Sequence, residues 1–366
     1  MNPTVTSCKQ CILDTSDDPS ITFDKNGICS YCTEYKEKER VNVLTEEKGR
    51  KMLQQKVEEI KKRGKGKKYD SIIGLSGGVD SSYLALLASR SGLRPLAVHF
   101  DNGWNSELAV KNIEQIVKKL NYELYTYVVD WESFKDLQLS YLKAGVVDIE
   151  VLTDHAISTV LYKLASQNNI KYILNGANVV TEGILPSNWV YNKGDHVNIK
   201  HIHSLYGSIP IRNYPLHNKL LKKYHKKILG IESVYLLNYI PYIKKEVKEI
   251  LKKELNWIDY GGKHYESVFT RFYQGYILPV KFGIHKRKAH LSTLICSKQI
   301  TRAEALKELQ INDYSPEMAG QDKEYVIKKL GLTEKEFDDI MSSPVKKHTD
   351  YKTEQSIFNI LLSKKK

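Results

Sequence analysis

The stretch Asp70-Ser71-Ile72-Ile73-Gly74-Leu75-Ser76-Gly77-Gly78-Val79-Asp80-Ser81-Ser82 holds the change of period that decides the fold. A short apolar run ends in a Gly-rich turn, and a helical pattern then runs over residues 79–91. Outward from it the alternation repeats. Strands are expected at 95–100, 123–129 and 171–174, and helices at 107–120 and near 132–144 and 154–168. Short apolar strands alternating with helices predict an α/β fold, a parallel doubly wound sheet covered on both faces.

The turn also predicts an anion site. Backbone N–H groups at the positive end of a helix stabilise negative charge. Gly77 and Gly78 permit φ > 0 and leave no side chain to block a phosphate, while Ser76, Ser81 and Ser82 add hydroxyls. Asp80 is the candidate to hold Mg²⁺ against phosphate oxygens. No Gly-Lys-Ser/Thr follows, so this is not a Walker loop. The bland alternative is a βα turn that uses Gly for tightness alone. Ser-Gly-Gly-x-Asp-Ser should arise by chance on the order of a few times in ten thousand chains of this length. In a strand–turn–helix context, the phosphate reading is the stronger.

Upstream, Cys8-x₂-Cys11-x₁₇-Cys29-x₂-Cys32 has the spacing of a four-cysteine metal site. Four thiolates close the shell of a tetrahedral Zn²⁺, which makes the metal structural and able to contribute about 10–16 kcal/mol to folding a short segment. Two disulfides and an iron–sulfur cluster are the alternatives. The fifth cysteine, Cys296, reads as a helix-face or core thiol.

The chain of 366 residues is too long for one compact core and comfortable for two. Residues 1–44 are expected to form the metal knuckle, 45–215 the nucleotide domain and 216–366 a mainly helical substrate-binding region. A helix over 45–63 breaks at Lys62-Arg63-Gly64-Lys65-Gly66-Lys67-Lys68. In the last region helices are expected at 244–255 and 286–298. Capping boxes at Thr301-x-x-Glu304 and Thr333-x-x-Glu336 start two more, and an apolar patch covers 357–362.

A hydrophobic content of 41% and a charged content of 27% are those of a globular chain. No apolar run reaches membrane-spanning length and no export signal opens the sequence, so a cytoplasmic protein without membrane insertion is expected. The formal charge is +13, but only nine of the 56 basic residues are Arg, the residue that clamps phosphates and reads bases. Solvated Lys faces account for that surplus without nucleic acid.

Ser76-Gly77-Gly78-Val79-Asp80-Ser81 resembles the signature loop of the PP-loop ATP pyrophosphatases, which cleave ATP between the α and β phosphates and adenylylate an oxygen. The resemblance implies that residues 76–82 hold pyrophosphate and that His99, Phe100, Asp101 and Asn102 lie near the adenosine. It places Asn175, Gly176, Ala177 and Asn178 on the same rim. That agrees with the rule that open parallel sheets bind ligands at the C-terminal ends of their strands.

Three further clusters stand in the second half: Gly261-Gly262-Lys263-His264-Tyr265-Glu266-Ser267, Thr270-Arg271-Phe272-Tyr273-Gln274, and residues 281–292. With the cysteine pairs, the loop and Thr181-Glu182-Gly183-Ile184-Leu185-Pro186-x₂-Trp189, they resemble the N-acetyl sugar amidotransferases of surface polysaccharide and nonulosonic acid biosynthesis, over about residues 8–340. His285 stands where that family carries an acidic residue.

The resemblance implies an ATP-dependent ligase that turns an acetamido group into an acetamidino group, with AMP and pyrophosphate released. Lys263, Arg271 and Lys281 become candidates to stabilise charge on the leaving group, and His264 or Glu266 to move a proton or orient the sugar. Glu182, Trp189, Lys286 and Arg287 are expected on the substrate side. No cysteine is left in a glutaminase setting. Ammonia is therefore expected from a separate glutaminase subunit, with a barrel subunit resembling that of imidazole glycerol phosphate synthase. A tRNA-modifying ligase of lysidine type and a non-catalytic nucleotide-binding subunit are the alternatives.

Overall fold

The computed structural model describes residues 5–262, 265–311 and 314–356. Five strands form one sheet: β1 (Ser71–Gly74), β2 (Pro95–Asp101), β3 (Leu124–Val128), β4 (Tyr172–Leu174) and β5 (Glu232–Val234). Their order is β3-β2-β1-β4-β5 and every pairing is parallel. The direction of winding reverses between β1 and β4, so the expected doubly wound sheet is present and its switch point lies where β1 ends.

Helices α1 (Ser30–Asn42) and α2 (Glu46–Arg63) precede the sheet. Then α3 (Val79–Arg90), α4 (Glu107–Leu120), α5 (Trp131–Ala144), α6 (Val151–Gln167), α7 (Val179–Glu182), α8 (His196–Tyr206) and α9 (Lys219–Lys223) fall between its strands. After β5 come α10 (Lys244–Leu255), α11 (Val268–Phe272), α12 (Leu278–Phe282), α13 (Lys286–Cys296), α14 (Arg302–Gln310), α15 (Pro316–Leu330) and α16 (Glu334–Ser342).

Successive strand residues point to opposite faces. Ile73 accordingly joins a cluster with Leu84, Ile113 and Leu251, whereas Ile72 joins Val98, Val160 and Ile173 on the other face. Both isoleucines are fully buried, which is why β1 reads as a continuous apolar run.

The boundary expected at residue 215 is corrected by the sheet itself. β5 lies beyond it and pairs with β4, and Val247, Leu251, Leu255 and Trp257 pack with α3 and α4. A three-residue strand with an exposed Glu232 gives too short a pattern to register as a period.

Helix α10 occupies the predicted 244–255, and both capping boxes form, with Glu304 and Glu336 each accepting the threonine amide at 2.7 Å. Among the described residues no helix is long and apolar enough to cross a membrane. The apolar patch at 357–362 lies outside the described residues.

Candidate active site

The loop after β1 is built as its sequence requires. Gly77 has φ +78, and a Cβ there would meet the Ala109 carbonyl oxygen at 2.6 Å, so only glycine fits against α4. Its carbonyl accepts from Trp257 Nε1 at 2.9 Å. Ser76 Oγ and Ser81 Oγ lie 3.1 Å apart, and the Gly78 amide donates to Ser76 Oγ at 3.2 Å.

Ser76, Gly78, Val79, Asp80 and Ser81 line a cavity of about 200 Å³ at the switch point. Ser82 does not: fully buried, it donates to the Gly78 carbonyl at 2.6 Å inside the first turn of α3. This corrects its reading as a phosphate donor, because position 82 points back into the helix.

Gly176, following β4, lines the same cavity. Asn178 reaches it through Asp80: its Nδ2 donates to Asp80 Oδ1 at 3.2 Å, while its Oδ1 caps α7 by accepting the Thr181 amide at 3.0 Å. Tyr242 donates a second hydrogen bond to Asp80 Oδ1. Burial, then the Asp80 charge, push the Tyr242 phenol well above its ordinary range, so it stays a donor.

The far wall comes from the second half. Asn105 and Ser267 form an antiparallel bridge, flanked by Ser106 N–H donating to the Glu266 carbonyl at 2.9 Å and Val268 N–H to the Trp104 carbonyl at 2.8 Å. This clip carries Glu266 to the loop, where a Cβ on Gly78 would stand 3.2 Å from its Oε1. Tyr260 completes that side, and burial followed by the Glu266 charge raises its phenol far above its ordinary range; Glu182, at the end of α7, also lines the cavity.

Lys244 and Lys248, one turn apart on α10, line this cavity and a second one of about 400 Å³. Gly261 and Gly262 also belong to both. The second cavity is bounded by Arg271, Lys286, Arg287 and His290, with apolar surface from Leu291 and Leu294. Its cations are braced. Arg271 pairs bidentately with the buried Asp322 (2.8 and 2.7 Å), which raises its pKa, and lies over the Tyr265 ring. Lys286 Nζ is 3.0 Å from Glu150 Oε2, and Arg287 donates to the Ile311 and Glu308 carbonyls, each at 2.7 Å.

Several expected residues stand elsewhere. Lys281 donates to the Ile340 and Ser343 carbonyls, each at 2.7 Å, and so ties off the end of α16 in neither cavity; burial lowers its pKa. Trp189 is fully buried and donates to the Asp17 carbonyl at 3.1 Å, a core residue instead of a substrate contact. His99 Nδ1 lies 3.1 Å from the Leu75 carbonyl oxygen, Phe100 stacks on Tyr127, and Asp101 and Asn102 hold the turn at 103–105. None of these four lines either cavity; they brace the strand end behind the loop. His285 is exposed at the start of α13. Lys263 and His264 lie outside the described residues.

Sequence reasoning missed Tyr242, Tyr260, Lys244 and Lys248. The only available signal was the pair of lysines four apart in a predicted helix, which reads equally as a solvated face.

The four knuckle cysteines converge. All are buried, and their sulfurs lie within 4.8 Å of one another, with Cys8–Cys32 at 3.9 Å and Cys11–Cys29 at 3.7 Å. A tetrahedral metal with bonds of about 2.3 Å has sulfur–sulfur edges of about 3.8 Å. The donors therefore fit one ion, whereas a multi-iron cluster would hold its thiolates further apart. No pair of these cysteines is joined as a disulfide.

Residues 70–178 match the family model described as queuosine biosynthesis protein QueC. Residues 266–364 match that of the LPS biosynthesis protein WbpG-like C-terminal domain. Among curated relatives, a subunit of the glutamine-hydrolyzing GMP synthase from Methanococcus maripaludis strain C7 is 31% identical over 146 residues, 39% of this chain and 43% of that protein. The counterpart from Methanococcus vannielii is 32% identical over the same shares. The chain thus spans less than half the length of these relatives. Among solved structures, the NH3-dependent NAD synthetase of Campylobacter jejuni aligns with a TM-score of 0.30 at 17% identity, over 58% of this chain and 89% of that one.

The first match falls on the segment that holds the Gly-Ser loop at the switch point of the parallel doubly wound sheet. The C-terminal segment is similar to a second family, the WbpG-like C-terminal domain.

Proposed function

We propose that the chain is an ATP-dependent C–N ligase that converts an acetamido group of a sugar into an acetamidino group. The observation that carries this reading is the shared wall: Lys244, Lys248, Gly261 and Gly262 belong at once to the phosphate-loop cavity and to the larger cation-rich one. A nucleotide in the first would meet an acceptor in the second across a single partition.

An amide carbonyl is a poor electrophile with a poor leaving group. Attack of the amide oxygen on the α-phosphate breaks the α–β bond, releases pyrophosphate and leaves an O-adenylyl imidate. Ammonia then adds to the imidate carbon, AMP departs with the oxygen, and loss of a proton leaves the amidine. Positioning and charge neutralisation are what such a transfer needs from the protein.

The Val79 and Ser81 amides and the Ser76 and Ser81 hydroxyls bind the pyrophosphate, and Lys244 and Lys248 neutralise its charge. Mg²⁺ would screen the phosphates, with Asp80 and Glu266 the carboxylates placed to hold it. Arg271, Lys286 and Arg287 orient the acceptor. Lys263 and His264 keep the roles that the sugar amidotransferase resemblance implies, as a cation and a proton carrier. The nucleotide-linked diacetamido uronic acids and the nonulosonic acids are both acceptors of the right chemistry, and the dependence on ATP suits a cytoplasmic setting.

The four cysteines are read as a structural zinc centre. Ammonia comes from a separate glutaminase, a division of labour supported by the likeness to a subunit of a glutamine-hydrolyzing GMP synthase; a barrel subunit would deliver it. The test is amidine formation by the isolated chain with ATP and ammonium but not with glutamine alone. Equal activity with glutamine removes the need for a partner. Salt-sensitive tRNA binding would favour the lysidine-type alternative.

A further inference from the structure

Helix α13 has two working faces. Lys288, Ser292 and Cys296, four residues apart, form one stripe, and each contacts the cysteine segment. Lys288 Nζ lies 2.8 Å from Asp14 Oδ2 and 2.5 Å from Asp17 Oδ2. Ser292 Oγ accepts the Ile12 amide at 3.4 Å, and Cys296 Sγ stands 3.5 Å from Cys32 Sγ. Gln10 Nε2 donates to Cys296 Sγ at 3.4 Å, and just past the helix Arg302 Nε donates to the Cys11 carbonyl at 3.0 Å. Lys286, Arg287, His290 and Leu294 instead line the second cavity. At about 100° per residue, these two stripes lie on opposite sides of the helix.

Residues 5–29 have isolated bridges in place of regular elements, Ser7 with Asp14 and Phe23 with Cys29, and Cys8, Cys11 and Cys29 make up much of what they bury, with Cys32 added from α1. Such a segment needs a metal to hold its shape. If it loosened, the half-buried Lys288 would lose both carboxylates, which is costly for a charge out of water. The phosphate loop is held differently, by Ala109 on α4 and by Trp257.

We propose that the four-cysteine centre is the mount of α13. With metal bound it fixes the helix, and through the helix the cationic wall of the second cavity, while the phosphate loop keeps its shape independently. Lys288, Ser292 and Cys296 are positioning residues. That this wall serves an acceptor rests on the function proposed above; the mount does not.

Hydrogen–deuterium exchange of the full chain tests it without acceptor or ATP, so its outcome is separate from that of the functional reading. One arm compares metal-loaded with chelator-stripped protein, and the other uses Lys288→Met with its metal content measured. The expected result of stripping is exchange roughly tenfold faster over residues 8–32 and 286–296, with 71–90 unchanged. In Lys288→Met the metal content stays at the wild-type level and 286–296 alone exchanges faster. Loss of protection over 71–90 in step with 286–296, or unchanged exchange of 286–296 in Lys288→Met, would overturn the proposal.

Discussion

Asn178 Nδ2 stands 3.2 Å from Asp80 Oδ1, joining the end of β4 to the first turn of α3 across the seam where the sheet reverses. The contact aims a carboxylate into the phosphate-loop cavity. Asp80→Asn keeps the shape and removes the charge, and is expected to slow pyrophosphate release by roughly 100–1000-fold with little change in melting temperature. Asn178→Ala also removes the cap of α7 and should cost about 1 kcal/mol in a denaturant titration. A normal rate in Asp80→Asn would remove this carboxylate from the chemistry.

Neighbouring serines separate binding from folding. Ser81 lines the cavity and its Oγ makes a long 3.2 Å bond to the Gly78 carbonyl, whereas Ser82 is buried away from the cavity and donates to that carbonyl at 2.6 Å. Ser81→Ala should weaken ATP binding by roughly tenfold, a loss of about 1.4 kcal/mol, at unchanged stability. Ser82→Ala should lower stability by about 1 kcal/mol, with the smaller effect on affinity. Calorimetric titration with ATP and a melt of each variant decide it; the reverse pattern contradicts the placement.

Arg271 and Lys281 were alike in sequence and differ in place. Arg271→Ala strands the buried Asp322, so a destabilisation of about 3–5 kcal/mol is expected along with lost turnover. Arg271→Gln with Asp322→Asn should recover most of the stability and none of the turnover. Lys281→Met should lower the melting temperature while leaving ATP affinity intact, because its ammonium ties off the carbonyls at the end of α16 and lines neither cavity. Turnover restored in the double variant would place Arg271 outside the acceptor site.

Three buried histidines set an acid limit. Burial depresses His155 and His217 to about 4 and His348 to about 3, below the ordinary value near 6.5. The unfolded chain therefore binds more protons than the folded one in the intervening window. The stability they allow is fully present above about pH 6.5 and is lost as pH falls toward 4, at up to about 1.4 kcal/mol per pH unit per histidine. Urea midpoints from pH 7.5 to 4.5 should fall with that curvature. A flat profile would show that these rings accept protons in place.

What could be read from sequence was what is local. A tight turn declares itself because glycine and serine have few reasons to sit between an apolar run and a helix. Paired cysteines declare their partners by chemistry, and Thr301 and Thr333 found Glu304 and Glu336 because a capping box spans only four residues. Distances between remote segments were not legible. Nothing in Trp189 or Lys281 tells a buried anchor from a ligand contact until the fold shows where each points. Tyr260 lines the cavity and Tyr242 holds Asp80, both from a region where the strand–helix rhythm had already faded. Cys296 read as a bystander because 264 residues separate it from the Cys32 sulfur it touches.

The central claim is one of chemistry, and mass spectrometry of candidate acetamido sugars tests it most directly. The chain would be incubated with ATP, Mg²⁺, isotopically labelled ammonium and each sugar in turn. The account predicts a product in which one acetamido oxygen is replaced by a labelled NH group, matched mole for mole by AMP and pyrophosphate. ATP cleaved to AMP and pyrophosphate with every acetamido sugar recovered unlabelled, the diacetamido uronic and nonulosonic acids included, would contradict it.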